Sequence, residues 1–224
     1  MAQIHPGKKA AGEKAATFIQ PGMTIGLGTG STAYWAIEKI GALVAEGLQI
    51  QAIATSLQSE RQAMGLGIPL ISFAELDHID VDIDGADEVD EHLNLIKGGG
   101  GALLREKIIA SASKKMIVVV DESKLVKRLG KFPLPLEVIP FGWEVTIRKI
   151  QDLGCRATVR TKDDQPFITD NGNYIIDCRF AEIISPASLN DQLKAIPGVV
   201  ETGLFIGIAA MAIIGYADGS TRTF

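Results

Sequence analysis

The sequence predicts an α/β fold in which a mainly parallel sheet carries a smaller inserted α+β domain. Extended and helical periods alternate over the first 120 residues, as they do in βαβ units. The extended segments are continuous apolar runs, such as MIVVV at 116–120, which is typical of strands buried on both faces. The pattern changes at Pro133, Pro135 and Pro140. Because proline cannot donate to a central strand ladder, these residues indicate a domain boundary near 131.

The first 130 residues divide into short strands and longer helices. A helix predicted at 8–19 ends before a Pro-Gly pair, and a helix predicted at 31–47 begins at Ser31 and Thr32, which are good N-cap types. The other predicted elements are strands at 23–28, 48–54, 69–73, 81–84 and 116–120 and helices at 57–64 and 102–114.

The region 131–204 is predicted to be the insert. It contains a hairpin in which 167–170 and 174–177 flank an Asn-Gly turn, a strong hairpin signal. Helices at 143–154 and 188–198 and a strand at 156–160 complete it. The run 204–214 then returns to the first sheet and is followed by an edge strand, so 1–130 and 205–224 form the predicted α/β domain.

Composition excludes several classes of protein. The chain has 224 residues, 46% apolar and 22% charged, with a net charge of −5 and a pI near 5.3, so it lacks the basic face that a nucleic-acid partner requires. Its most apolar run, 204–216, is shorter than the roughly 20 residues that span a membrane. The N-terminus has no apolar signal segment. Cys155 and Cys178 lie in unrelated contexts and predict reduced thiols in a cytoplasmic protein. The three histidines are too scattered for a zinc site.

Three stretches suggest chemistry, and the first is GLGTGST at 26–32. It lies where a strand ends and a helix begins, so backbone N–H groups and the helix dipole favour a phosphate there. Thr29, Ser31 and Thr32 add hydroxyl donors. A dinucleotide site is the weaker alternative, because the spacing is GxGxG and Ala54-Thr55-Ser56 lacks a ribose-binding carboxylate. A tight turn without a ligand is the other alternative.

The second stretch, Asp80–Glu91, matches the EF-hand pattern D-x-D-x-D-G-x5-E. An EF-hand needs a helix on each side of its loop, whereas Val81 and Ile83 alternate as in a strand, so the match is interpreted as accidental. A solvated acidic turn is the plain explanation. Asp84 and Asp87, however, follow a buried strand at the edge where open α/β sheets bind ligands, and their carboxylates suit sugar hydroxyls.

The third stretch is Lys97 followed by four glycines and a helix that carries Glu106. Such glycines let backbone amides converge on an oxygen, and the lysine adds positive charge for one that becomes anionic. Glu106 has a second explanation, because a glutamate in the first turn of a helix complements the helix dipole.

Taken together, these motifs resemble ribose-5-phosphate isomerases of the A type. GLGTGST, DIDGADEVD, KGGGGALLREKI, the Asp-x-Ser-Lys stretch at 121–124, LGKFPLPLEVIP, TDNGN and IPGVVETGLF occur in that order over about residues 8–220. The resemblance implies a Rossmann-like domain with an inserted α+β domain. Gly101 stands where the family often has alanine, a difference expected to matter little, and the family's N-terminal lysine falls on Lys8 or Lys9.

The resemblance also implies an activity and the residues that carry it. Ribose 5-phosphate and ribulose 5-phosphate would interconvert, in the pentose phosphate pathway, through a metal-independent enediolate with Glu106 as base, and no cofactor is expected. Asp84 would assist ring opening, Asp87 would position hydroxyls and Lys97 would stabilise the enediolate. The implied substrate contacts are Thr29, Gly30, Ser31, Thr32, Asp84, Gly85, Ala86, Asp87, Lys97, Gly98, Gly99, Gly100 and Lys124. A small pentose phosphate is the expected partner, together with further copies of the chain in a dimer or tetramer.

Two other classes of protein fit the sequence less well. Sugar-phosphate sensor domains of transcription regulators share the sheet region, but they need a helix-turn-helix, and only about twenty residues precede the first predicted strand. A CoA-handling enzyme would place a glutamate nucleophile in a different loop, and no motif supports it.

Overall fold

The computed structural model describes residues 5–224 and divides the chain into two compact units. The first unit comprises the residues up to Ala86, Arg105–Leu125 and Ile208–Phe224, and the second comprises Asp87–Leu104 and Val126–Gly207. The second unit therefore extends the predicted insert by a few residues at each end and also takes in 87–104. The predicted domain boundaries, 1–130 with 205–224 and 131–204, stay a prediction.

The helices and strands are short and follow the predicted order. The helices are α1 (Pro6–Ala16), α2 (Ala33–Ala45), α3 (Leu57–Gly65), α4 (Leu103–Ala112), α5 (Trp143–Gln151) and α6 (Pro186–Lys194). The strands are β1 (Thr24–Leu27), β2 (Gln51–Ala54), β3 (Val81–Gly85), β4 (Glu88–Val89), β5 (Leu95–Ile96), β6 (Met116–Asp121), β7 (Leu134–Val138), β8 (Arg156–Val159), β9 (Thr161–Lys162), β10 (Gln165–Pro166), β11 (Tyr174–Arg179), β12 (Val199–Thr202), β13 (Leu204–Phe205), β14 (Ala209–Gly215) and β15 (Thr221–Thr223). Two 3-10 turns lie at Phe73–Glu75 and Glu122–Lys124.

The first unit is built on a six-stranded sheet in the order β15-β14-β6-β3-β1-β2. All neighbouring strands are parallel except β15, which pairs antiparallel with β14 at the edge. Fully buried residues of the strands, such as Ile25, Ile83 and Val119, form one core with Ile37 of α2 and Ala15 of α1. The mainly parallel α/β fold predicted from the apolar runs is confirmed.

The order of the strands creates a switch point beside β1. The chain leaves β1 for β2 on one side and later returns to β3 on the other side. In open α/β sheets, connections that diverge in this way leave a crevice at the carboxyl ends of the strands, where ligands bind. The ends of β1 and β3 carry the glycine-rich loop and Asp84, so the fold places two of the predicted stretches at this crevice.

The second unit contains a four-stranded antiparallel sheet and a small three-stranded sheet. The strand orders are β12-β7-β11-β8 and β13-β5-β4. Leu136 and Ile176 of the larger sheet share a core with Ile96 and Leu204 of the smaller one and with Ile150 of α5. Because the smaller sheet brings 95–96 against 204–205, residues 87–104 belong to this unit.

Pro135 lies in the middle of β7, an interior strand of its sheet, although proline cannot donate to a strand ladder. The Pro135 carbonyl accepts a hydrogen bond from Gly203 N at 2.7 Å. In a strand, the missing N–H points to the same side as this carbonyl, and on that side β12 has already ended at Thr202. A Cβ built on Gly203 would lie 2.9 Å from Pro135 Cδ, so a glycine makes room for the proline ring.

Some local predictions need correction. The predicted strand at 69–73 is reduced to a single bridge between Ala52 and Leu70. The predicted hairpin at 167–177 keeps its turn, since Thr169 N donates to Asn173 O, but its first arm forms only one bridge, and β11 pairs instead with β7 and β8. The apolar run from 204 is divided into β13 and β14, and only β14 joins the first sheet.

The two cysteines are neighbours, which the sequence did not indicate. Both are free and buried in one core, and each thiol donates to a backbone carbonyl, Cys155 Sγ to Ile150 O at 3.5 Å and Cys178 Sγ to Ile176 O at 4.0 Å. Burial is the largest cause that raises the pKa of Cys178, whereas the interaction with Cys178 lowers the pKa of Cys155. Within 5–224 no helix is long and apolar enough to cross a membrane.

Candidate active site

The glycine-rich loop after β1 is fastened to the end of β3. Gly28 N donates to Ile83 O, and Thr29 N donates to Asp84 Oδ1, each at 2.9 Å. A Cβ built on Gly28 would lie 2.2 Å from Asp84 Oδ1, so only glycine permits this approach. The structure therefore brings together the predicted phosphate loop and one of the two predicted carboxylates.

The side chain of Thr29 supports the loop from within the protein. Its Oγ1 lies 2.7 Å from the hydroxyls of Thr55 and Ser56 and 3.1 Å from that of Ser59. Ser59 Oγ in turn donates to Gly28 O at 2.6 Å. Sequence reasoning gave Thr29 a substrate-facing hydroxyl and missed the other three residues. The signal was present as hydroxyl-bearing residues grouped at the end of β2 and the start of α3.

Lys8 is the N-terminal lysine that reaches the loop. Its Nζ donates to Ser31 Oγ at 3.0 Å and lies 3.8 Å from Asp121 Oδ2. Lys9 is turned away, because its Nζ lies 3.8 Å from Glu13 Oε1. Of the two lysines that the sequence left open, Lys8 is therefore the one that contacts the loop.

The remaining loop residues occupy distinct positions. Gly30 has φ +122°, a conformation that side chains rarely adopt. Thr32 is buried at the N-cap position of α2 but makes no side-chain capping bond, so the predicted hydroxyl cap is absent among the described residues.

Asp84 is a fully buried carboxylate held in one orientation. Its Oδ1 accepts the Thr29 N–H and also the Gly85 N–H, the latter at 2.7 Å. Gly85 and Ala86 are half-buried behind it. Two backbone donors thus fix the carboxyl group in place.

Glu106 is also buried, with 4% of its surface exposed, in the first turn of α4. α4 precedes β6 and packs on the sheet through Ile109. This packing is close, because a Cβ built on Gly26 of β1 would lie 2.7 Å from Ile109 Cγ2. Glu106 lies about one turn closer to the helix N-terminus, hence towards the carboxyl edge of the sheet. A glutamate that only complemented the dipole would be solvated, so the burial favours a more specific role.

Lys124 also lies at the carboxyl edge of the sheet. It lies in the 3-10 turn after β6, and β6 runs parallel beside β3 with Val118 opposite Asp84. Asp121 begins the turn by accepting hydrogen bonds from both the N–H and the hydroxyl of Ser123. Burial raises the pKa of Asp121, but the two bonds from Ser123 and the charges of Lys8 and His5 together lower it by more, so the net shift is downward.

In the second unit, Asp87 lies against the four-glycine loop. Gly99 N donates to Asp87 Oδ2 at 2.7 Å, and a Cβ on Gly99 would lie 2.4 Å from Oδ1. Gly98 has φ +104°, which favours glycine. Lys97 is almost fully buried, and its Nζ lies 5.4 Å from the centre of the Phe205 ring. The structure thus places the second predicted carboxylate, the lysine and the glycine amides together.

Gly101 closes the loop under the ring of Phe167. Its φ is +79°, and an added Cβ would lie 2.4 Å from Phe167 Cε1. Alanine at this position would therefore be strained and would displace the ring. The expectation that this difference from the family matters little for the activity stays a prediction.

The acidic run 80–91 serves several structural purposes. Asp80 accepts hydrogen bonds from Lys114 Nζ at 2.9 Å and Thr24 N at 3.0 Å. Asp90 accepts the N–H groups of His92 and Asn94. The carboxylates are thus committed to different contacts, and among the described residues no group of three or more acidic, histidine or cysteine side chains could hold a metal ion.

Comparison with known proteins decides the family. The model of the family described as Ribose 5-phosphate isomerase A (phosphoriboisomerase A) matches residues 51–219. The chain belongs to this family. A ribose-5-phosphate isomerase A of Bacillus cereus is 60% identical over 213 residues, covering 95% of this chain and 97% of its own, and one of Parvibaculum lavamentivorans is 52% identical over 220 residues, covering 95% of each.

Solved structures of family members superpose closely. A D-ribose-5-phosphate isomerase in complex with phospho-erythronic acid has a TM-score of 0.95 and 43% identity, covering 99% of each chain. The ribose 5-phosphate isomerase of Plasmodium falciparum has a TM-score of 0.95 and 40% identity, covering 99% of this chain and 98% of its own. The family resemblance seen in the motifs is confirmed, and the Rossmann-like fold it implied is the fold observed.

Proposed function

We propose that this ribose 5-phosphate isomerase A family member catalyses its aldose–ketose isomerisation with Glu106 as the base and Asp84 as the group that assists ring opening. The observation that carries this assignment is the burial of both carboxylates at the carboxyl edge of the sheet beside a switch point. The substrate and product are ribose 5-phosphate and ribulose 5-phosphate. The sequence relatives at 52–60% identity over 95% of the chain support the same reaction.

Ring opening exposes the aldehyde on which isomerisation depends. The cyclic sugar opens when its anomeric hydroxyl loses a proton and the ring oxygen gains one. We assign both transfers to Asp84, whose carboxylate takes the proton of the anomeric hydroxyl and gives it to the ring oxygen. The N–H groups of Thr29 and Gly85 hold its Oδ1 in place, and we assign its Oδ2 to the sugar hydroxyl.

Proton transfer between neighbouring carbons then needs a single base. Glu106 takes the proton from C2 of the open aldose, and the electron pair moves through the C1–C2 bond to the carbonyl oxygen. The resulting enediolate accepts the proton back at C1, while a proton passes between O2 and O1 to leave a ketone at C2. The carboxylate must come within about 3 Å of the transferred proton, and burial keeps water from competing for it.

The enediolate carries negative charge on oxygen, which a positive charge and N–H donors stabilise. We assign this role to the ammonium of Lys97 and the amides of Gly98 and Gly100, since the Gly99 N–H donates to Asp87. A well-placed donor typically contributes about 3–4 kcal/mol to the transition state. Asp87, which Gly99 N already orients, is assigned the task of positioning sugar hydroxyls.

The phosphate is assigned to the loop before α2. Ser31 and Thr32, the backbone amides of the loop and the positive end of the helix dipole favour a dianion there. Lys8, bonded to Ser31 Oγ, and Lys124 at the same sheet edge add positive charge. In a chain of net charge −5, these lysines provide the local field that attracts a dianionic substrate.

The test is direct measurement of ribulose 5-phosphate formation by the Glu106→Gln variant. The amide is nearly isosteric but cannot accept the proton, so kcat is expected to fall by several orders of magnitude while KM changes little. Glu144→Gln is the matched control, because Glu144 is an exposed glutamate in the first turn of α5. Near-normal kcat in Glu106→Gln would overturn the assignment and leave the helix-dipole explanation for Glu106.

A further inference from the structure

Arg160 binds two consecutive carbonyl groups of the four-glycine loop. Its Nη1 donates to Gly98 O and to Gly99 O, each at 2.9 Å. Gly98 O also accepts the Gly101 N–H at 2.9 Å. One guanidinium nitrogen therefore fixes the peptide planes on both sides of Gly99.

The arginine is itself held rigidly. Asp177 Oδ2 accepts from Nε at 2.9 Å, and Asp177 Oδ1 accepts from Nη2 at 2.5 Å, which is the bidentate geometry that arginine forms with carboxylates. The backbone is fixed as well, because Arg160 N donates to Ile175 O and Arg160 O accepts from Phe167 N, both at 2.8 Å. The side chain is only 16% exposed. The guanidinium is thus pre-organised by the antiparallel sheet before it meets the loop.

Peptide geometry carries this constraint to the opposite face of the loop. In a trans peptide, the N–H of one residue points away from the carbonyl of the residue before it, and residues 5–224 contain no cis peptide bond. Holding Gly98 O therefore turns the Gly99 N–H away from Arg160, and that N–H meets Asp87 Oδ2. Holding Gly99 O turns the Gly100 N–H away in the same manner. The positive charge on the carbonyl side also polarises both peptides and strengthens their N–H groups as donors.

We propose that Arg160, held by Asp177, is a positioning residue for the isomerisation, because it aims the Gly99 amide at Asp87 and the Gly100 amide at the enediolate oxygen. This inference rests on the proposed function of the glycine loop. Arg160 does not touch the substrate in this role. It acts through the peptides that it binds, so its loss weakens binding of the transition state more than binding of the substrate.

The experiment compares Arg160→Met with the wild-type chain by measuring kcat, KM and the inhibition constant of phospho-erythronic acid. This inhibitor is chosen because its carboxylate carries a negative charge on oxygen, as an enediolate does. We expect kcat to fall about 100-fold, KM to change less than about threefold, and the inhibition constant to rise in step with the loss in kcat/KM. An inhibition constant does not depend on the fraction of folded enzyme. A merely structural role would therefore lower the measured kcat without moving this constant.

Further variants keep the test decisive. Arg160→Lys retains the positive charge but lacks the planar set of donors that a guanidinium presents. Asp177→Asn removes the negative charge that holds the arginine. Both variants are expected to raise the inhibition constant, but by a smaller factor than Arg160→Met. Arg156→Met, an exposed arginine at the start of β8, is the matched control and should change none of these quantities. If Arg160→Met does not fold, Arg160→Lys and Asp177→Asn decide.

Two results separate the failure of this inference from the failure of the proposed function. An unchanged inhibition constant in the Arg160 and Asp177 variants, together with an inactive Glu106→Gln, overturns the positioning role alone. An active Glu106→Gln overturns the proposed function, whatever the Arg160 variants do.

Discussion

Thr29 N and Asp84 Oδ1, 55 residues apart in sequence, share a hydrogen bond of 2.9 Å that joins the loop after β1 to the end of β3. The contact forms because β1 and β3 are parallel neighbours, with Leu27 opposite Ile83, so both strands deliver their next residues to one edge. This hydrogen bond links the loop assigned to the phosphate with the carboxylate assigned to ring opening.

Gly28→Ala is expected to impair this contact. The new Cβ would lie 2.2 Å from Asp84 Oδ1, so the loop or the carboxylate must move, and we expect kcat/KM to fall at least about tenfold with a loss of about 1–3 kcal/mol in the free energy of unfolding. Gly65→Ala is the control, because no atom lies within 4 Å of its added Cβ and its φ is not positive. An unchanged kcat/KM in Gly28→Ala would show that the geometry of Asp84 is not needed.

Lys8→Met is expected to raise KM for ribose 5-phosphate about tenfold, equivalent to about 1.4 kcal/mol, because the ammonium that reaches Ser31 is lost. Lys9→Met should leave KM unchanged, since Lys9 faces Glu13. Free ribose separates the effects. If Lys8 serves the phosphate, the already poor turnover of ribose should not change, and an equal loss for both substrates would assign Lys8 to structure.

Asp80 is expected to make the stability of the protein depend on pH. The hydrogen bond from Lys114 is the largest cause that lowers the pKa of Asp80, and burial opposes it. A carboxylate with a lowered pKa contributes stability that is complete above its unfolded pKa of about 3.9 and is lost as pH falls through the folded value. The difference in unfolding free energy between the wild-type chain and Asp80→Asn should therefore shrink below about pH 4. Denaturant titrations across this range measure it.

Asp77→Asn is the control for this experiment, because Asp77 has a side chain that is 99% exposed. Its free energy of unfolding should differ little from that of the wild-type chain, because the side chain is almost fully exposed. A difference for Asp80→Asn that grew on acidification would contradict the assigned direction of the pKa shift.

Chelation is expected to leave activity within about twofold of its starting value. The reason is chemical, since Lys97 and the glycine amides provide the positive charge and donors that a metal ion would otherwise supply to the enediolate. Turnover should be assayed after exhaustive dialysis against EDTA, with and without added calcium or magnesium. Loss of activity that calcium or magnesium restores would contradict the metal-independent mechanism, and the acidic run 80–91 would then have to be reconsidered as a metal site.

The order and type of most elements and the composition of the candidate site could be predicted from the sequence alone. Buried parallel strands read as apolar runs because both of their faces are covered, and the glycine, acidic and lysine motifs are contiguous in the chain. A contiguous motif keeps its residues together in any fold, so Gly98 and Gly99 beside Lys97 could be predicted. The position of Asp84 also followed, because a residue at the carboxyl end of a parallel strand lies at that edge of the sheet.

Tertiary structure decided which distant side chains hold these motifs in place. Arg160 lies 62 residues from Gly98, and no local pattern distinguishes an arginine that binds carbonyls from one that faces water. Thr55 and Ser59 likewise meet Thr29 only through strand pairing and helix packing. Pro135 could enter a central strand because its missing N–H falls on the side where β12 has ended, and that depends on the register of two strands more than 60 residues apart. Hydrogen bonds of this kind are set by the pairing of whole elements, which local sequence does not contain.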